Sequence, residues 1–107
     1  MEGRKMKIKV YIKRPDEKVG HSTWISNTLE NLQKTVEGYI ETVTFGDYVV
    51  ICNEEGRLRK MPYCCTIHGV DFVGTIIVAG IDGEEFGDCP LSFDEYKKLV
   101  SRERQLF

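Results

Sequence analysis

Cys64, Cys65 and His68 crowd into one short stretch, with Asp71 close behind and Cys52 and Cys89 further away. Thiolates and imidazoles are ordinary zinc ligands, and a thiol beside an imidazole is an ordinary nucleophile–base pair. Cys64, Cys65, His68 and Cys89 are the candidate metal ligands. A closed zinc site is commonly built from two short paired modules, and here one module stands alone. Cys52 lies inside the apolar run Tyr48-Val49-Val50-Ile51-Cys52 and reads as a small core residue. No metal and no other cofactor is expected. For nucleophilic catalysis Cys64 needs His68 as base and a third group to orient it, for which Asp71 is the candidate. Spacing alone does not assemble that triad.

Carboxylates gather later in the chain at Asp82, Glu84, Glu85, Asp88, Asp94 and Glu95. They can bind a cation or act as acid and base. Most also have a structural use: Asp82 in a turn, Glu84 and Glu85 on a short edge strand, Asp94 and Glu95 at a helix start. The opposite sign collects at Arg4, Lys5, Lys7, Lys9, Lys13, Arg14 and Lys18, and again at Arg57, Arg59 and Lys60. If those stretches are neighbours they form a basic plate facing an acidic hairpin, a surface suited to an anionic ligand or a charged protein. Fifteen basic and seventeen acidic side chains leave a net charge of −2, so nucleic acid is a disfavoured partner. The glycines are scattered and make no phosphate-cradling loop.

Several elements must position these groups. Met6 to Lys13 alternates apolar and polar residues and predicts a strand with Lys7, Lys9, Tyr11 and Lys13 facing out. Pro15 to Ser22 reads as a loop, and Trp24 as a staple onto the helix that follows. Asn27-Thr28-Leu29-Glu30 has the form of a capping box opening a helix over 27–37, with Ile25, Leu29, Leu32 and Val36 on one face and Gly38 as its C-cap. Tyr39–Phe45 and Tyr48–Cys52 read as strands joined by a Gly46-Asp47 turn with glycine first. Asn53–Gly56 is a turn, and Arg57–Met61 a return strand at an edge. Residues 62–71 show no period and read as a loop. Phe72–Ile81 is a long strand, Asp82-Gly83 a hairpin turn, and 84–87 a short edge. Ser92-Phe93-Asp94-Glu95 is a second capping box before a closing helix.

The order β-α-β-β-β-β-β-α predicts an α+β fold: a mostly antiparallel sheet of about five to six strands with both helices packed on one face. At 107 residues with 41% hydrophobic content, the chain reads as one small domain, 1–107, with residues 1–5 a frayed extension. Translation can start at Met1 or Met6. No apolar run approaches a membrane span and no secretory signal is evident, so the cytoplasm is the expected location. There the cysteines are expected as free thiols, and an adjacent pair such as Cys64-Cys65 rarely meets disulfide geometry.

The stretch from Leu29 to Glu41, the turn Asn53-Glu54-Glu55-Gly56, and then Gly74 and Gly80 resemble an uncharacterised domain-of-unknown-function family of short phage, plasmid and integrative-element proteins. The resemblance runs from about Ile8 to Ile81. Where the family carries Pro-x-Asn, this chain has Pro62-Tyr63-Cys64, so no polar role passes to position 64. The resemblance implies a mobile-element context and no particular activity. Gln33 and Glu41 are polar residues at a helix–strand junction, with a structural use or a binding use. With Arg57 and Arg59 from the basic stretch and Tyr63 and His68 from the 62–71 segment, they form the candidate binding set. The expectation is an accessory protein that binds a protein partner or a small anionic or nucleotide ligand without catalysis, with action against host defence as the analogy. The alternatives are a small Cys/His or carboxylate enzyme, a zinc-binding protein, or a homodimer formed through edge strands.

Overall fold

The alternation of Met6–Lys13 becomes the first strand of the computed structural model, which describes residues 6–101. Strand β1 (Lys7–Lys13) turns back antiparallel into β2 (His21–Ser26), and helix α1 (Leu29–Val36) follows. Then come β3 (Ile40–Phe45), β4 (Tyr48–Asn53), β5 (Tyr63–Ile67), β6 (Val70–Val73), β7 (Ile76–Asp82), β8 (Glu85–Gly87) and helix α2 (Phe93–Val100). The main sheet runs β2-β1-β7-β4-β3 with β8 also on β7, and every pairing is antiparallel. A second, two-stranded sheet pairs β5 with β6. This is the α+β fold expected, a mostly antiparallel sheet with two helices.

The two helices do not share a face. β4 and β7 are apolar on both sides, so both sides need a cover. Val49, Ile51, Ile77 and Ala79 join Ile8, Val10, Leu32 and Val36 in one core under α1. Val50, Cys52, Ile76 and Val78 join Tyr11, Tyr96 and Val100 in another, under α2 and the β5–β6 hairpin. Placing both helices on one side would leave three large apolar residues of β4 and β7 on the other in water, at roughly 1.5–3 kcal/mol each.

Several boundaries also differ from the sequence expectation. β2 occupies part of the expected loop and helix: Ile25 is a strand residue and Trp24 is 56% exposed, not a buried staple. Thr28, not Asn27, caps α1, its Oγ1 accepting from Asn31 N–H at 3.1 Å. Asn27 is buried and gives its side-chain amide to the Phe86 carbonyl. The left-handed residue ending α1 is Glu37, at φ 66°. Arg57–Met61 forms a turn instead of a return strand, because β3 and β7 already fill both edges of β4. The supposed 62–71 loop is mostly the β5–β6 hairpin, closed by His68 and Gly69 at φ 49° and 82°. The expected long strand over 72–81 is broken by Gly74 at φ 74°. The Gly46-Asp47 turn with glycine in the left-handed region, and the Ser92/Glu95 capping box, are both present. Among the described residues no helix is long and apolar enough to cross a membrane.

At Gly80 the sheet divides. β1 pairs with β7 only through Tyr11, Ile12 and Lys13. Beyond them the chain at Asp88 and Cys89 takes over: the Asp88 carboxylate accepts from Lys9 N–H, and Cys89 N–H donates to the Lys9 carbonyl. A Cβ at Gly80 would stand 1.9 Å from the Asp88 carbonyl oxygen. Relief requires backbone movement at the centre of the sheet. Gly80→Ala is expected to destabilise the fold by about 3 kcal/mol or more, read as a lower urea midpoint by circular dichroism. A midpoint close to wild type would refute this account of the crossing.

Candidate binding cleft

The small hairpin covers one face of the main sheet only in part. β6 lies over β4 and stops short of β3, and the 54–60 turn closes the end near α1. A cleft of about 150 Å³ remains between them. Val43, Phe72 and Val73 supply apolar wall, Glu41, Glu54 and Arg57 are its charged side chains, and Asp71 also lines it. Strand periodicity puts Glu41 there: it shares a face with Val43 and Phe45, which pack on the core beneath the hairpin.

Asn53 holds the cleft's inner end. Its side-chain amide donates to the Val36 and Glu37 carbonyls at 3.0 and 3.1 Å, capping α1, and its Oδ1 accepts from Glu55 N–H at 2.7 Å, shaping the turn. Arg57 reaches across the turn to donate to the Asp71 carbonyl. The Asp71 carboxylate accepts from the Thr66 hydroxyl at 2.6 Å. Thr66 has one proton and spends it there, so the Tyr63 hydroxyl is the donor in the Tyr63–Thr66 contact. Tyr63, Thr66 and Asp71 thus form a one-way relay ending on the Asp71 carboxylate. Cys52 lies at the floor. Burial, helped by Glu41 and opposed by Arg57, pushes its thiol up to about 11 from an ordinary 9.0, so it stays protonated at neutral pH.

The structure brings Glu41 and Arg57 together at this cleft and scatters the rest of the candidate set. Gln33 is on α1, across the sheet, its carbonyl accepting from Gly38 N–H. Arg59 donates to the Glu37 carbonyl at 2.9 Å, at the end of α1. His68 holds the β5–β6 turn, its Nε2 2.6 Å from the Tyr48 hydroxyl and its ring centroid 5.0 Å from that of Phe45. Asp71, expected as the orienter of a Cys64–His68 pair, and Glu54, expected only as a turn residue, complete the cleft. The missed signal was the His68-Gly69 turn, which sets Asp71 opposite Thr66.

Cys64 and His68 do not meet. Cys64 is buried near the start of β5, while His68 is exposed at the far turn with its imidazole on Tyr48. Cys64 is instead beside Lys13, which was expected to face solvent but is only 3% exposed because β5 covers the end of β1. The Lys13 ammonium donates to the Cys64 carbonyl at 2.9 Å and stands 3.9 Å from its sulfur. A hydrogen bond from Cys65, then the Lys13 charge, draw the Cys64 thiol below its ordinary value against the effect of burial, while Cys65 is pushed up. Burial raises Cys89 as well. Among the described residues no three His, Cys, Asp or Glu side chains converge as a metal site, so Cys64, Cys65, His68 and Cys89 are not brought together as ligands.

Among the described residues the basic stretches do not form one plate either, and Arg4 and Lys5 lie outside those residues. β1 and β4 run in the same direction on either side of β7. Lys7 and Lys9 therefore lie at the end of the sheet that carries Asp82, Glu84, Glu85 and Asp88, whereas Arg57, Arg59 and Lys60 lie at the other end beside Glu37 and Glu54. Signs are mixed at both ends.

Residues 6–101 match the model of a family described as Domain of unknown function (DUF3846). The chain belongs to the DUF3846 family. The match reaches beyond the Ile8–Ile81 stretch of the resemblance and takes in α2, so the DUF3846 domain includes both covers of its sheet. No curated protein and no solved structure matches the chain.

The raised Cys52 thiol has a pH consequence. A thiol whose ionisation is harder in the folded than in the unfolded state stabilises the fold fully below its ordinary value. That contribution is lost as pH rises from about 9 toward about 11. Thermal melts across that range are expected to fall more steeply for wild type than for Cys52→Ala. Parallel slopes would refute the assignment.

Proposed function

We propose that this DUF3846 domain is a non-catalytic binding module, an accessory protein of a phage or mobile element acting in the cytoplasm on a host or element-encoded protein. The observation that carries this is the cleft itself. Its lining sets the exposed residues Glu41 and Glu54 beside one guanidinium that is already held by the Asp71 carbonyl, above a thiol kept protonated. Such a site favours a cationic or hydrogen-bond-donating group. It gives bond-making chemistry little purchase, since nucleophile and base must share a cavity and the groups suited to those roles sit apart, Cys64 under the hairpin and His68 on its turn. The balance of charge also favours a protein's basic side chain over the small anionic or nucleotide ligand.

A second reading, a small thiol enzyme, draws on Cys64, whose ionisation is eased by the Cys65 hydrogen bond and then by Lys13. One set of measurements separates the two. Tagged protein is exposed to lysate of a bacterial host, and the Glu41→Lys variant serves as comparison. Retention of a protein by wild type, lost in the variant, is expected; retention of none, together with alkylation of Cys64 far faster than of Cys52 and Cys89 at pH 7, would transfer support to the enzyme.

A further inference from the structure

We propose that the outer edge of β3 is a strand-addition site for an extended basic segment of a partner protein, with every second side chain of that segment entering the cleft. This rests on the binding reading above and specifies its mode. Glu54 N–H donates to the Tyr39 carbonyl at 2.8 Å, one step beyond the Ile40–Asn53 pair. Antiparallel bonding alternates, so Glu41, Val43 and Phe45 exchange main-chain bonds with β4. The amides and carbonyls of Ile40, Thr42 and Thr44 then point away from the sheet, at the end of its strand order. Natural sheets blunt such an edge with proline, a bulge or repeated charge. β3 pairs in unbroken register over six residues with Glu41 as its single charge.

The face that an added strand shares with Glu41 and Val43 is the cleft face. Directly opposite residues stand about 5 Å apart, so a lysine or arginine placed there lays its methylenes along Val43 and its charge beside Glu41 and Glu54. A second copy of this chain would instead bring two clefts of the same sign together. Charge therefore selects a basic partner segment.

Backbone amide NMR of the full chain, titrated with blocked seven-residue peptides, tests this. The peptides alternate threonine and valine around a central lysine or, as control, a central glutamate. The lysine peptide is expected to shift Ile40, Thr42 and Thr44, slow their hydrogen exchange, and bind about tenfold more tightly than the control. Thr42→Pro removes an N–H that β4 does not use, so the sheet is kept while binding is lost. Glu41→Lys, at an exposed position, is expected to reverse the preference. Equal binding of both peptides, shifts centred elsewhere, no shift at millimolar peptide, or full binding by folded Thr42→Pro would overturn the proposal. So would a concentration-dependent dimer that protects the same amides. A lysate protein held by wild type and equally by Thr42→Pro would sink strand addition yet leave the binding reading standing; no retention by wild type would sink that reading itself.

Discussion

Two strands with no polar side force the rest of this architecture. Tyr48–Asn53 and Ile76–Gly80 are buried residue by residue, so the sheet they centre cannot present either surface to water. One eight-residue helix, contributing Leu32 and Val36, suffices on one side with help from Ile8 and Val10. The other side carries Tyr11, Tyr48, Val50 and Val78, and covering them takes both α2 and a separate hairpin. Because that second cover is made of two pieces, it leaves a margin. The cleft lies on that margin, where β6 ends before β3 begins.

The covers are fixed by a few polar side chains working in dry surroundings. Asn53 ties α1 to β4 and the following turn with three hydrogen bonds, and Gly38 makes room for it, since a Cβ there would lie 2.6 Å from the Asn53 amide. Lys13 pins β5 to the end of β1 through the Cys64 carbonyl. Tyr96 stacks on Tyr11 at 4.1 Å and gives its hydroxyl to the Val19 carbonyl, fastening α2 and the β1–β2 connection together. Buried donors with satisfied partners are worth keeping, because removing one partner strands the other in an apolar setting. These contacts explain why polar residues in this chain are so often architectural.

The legible parts of the sequence were those in which one physical rule acts locally. Alternation over Met6–Lys13, glycine ahead of aspartate at 46–47, and serine three residues before Glu95 each announce one element on their own. The illegible parts depended on something distant. β2, at the sheet's outer edge, has its two apolar residues, Trp24 and Ile25, on opposite faces, so it offered no alternation. The β-bulge between Tyr63 and Cys65 turns neighbouring cysteines both inward and erases the alternation that would have revealed β5. Lys13 looked like a surface lysine because its burial is imposed by a hairpin fifty residues away. Of the cleft, Glu41 and Arg57 stood out by type, whereas Glu54 and Asp71 join them only once the two sheets are stacked.

Burial and exposure also favour the proposed binding over chemistry. A reactive thiol or imidazole is useful where its proton affinity is tuned and its lone pair faces open space. Here the group whose ionisation is eased, Cys64, is buried behind Lys13, and the thiol at the open cleft, Cys52, is shifted the other way. What does face open space at the cleft is Glu41 with Glu54 and a strand edge already held in extended form. Recognition by such a surface needs little rearrangement, because the backbone groups of Ile40, Thr42 and Thr44 are ordered by their pairing neighbours before any partner arrives. An extended segment would then meet the cost of ordering on its own side alone.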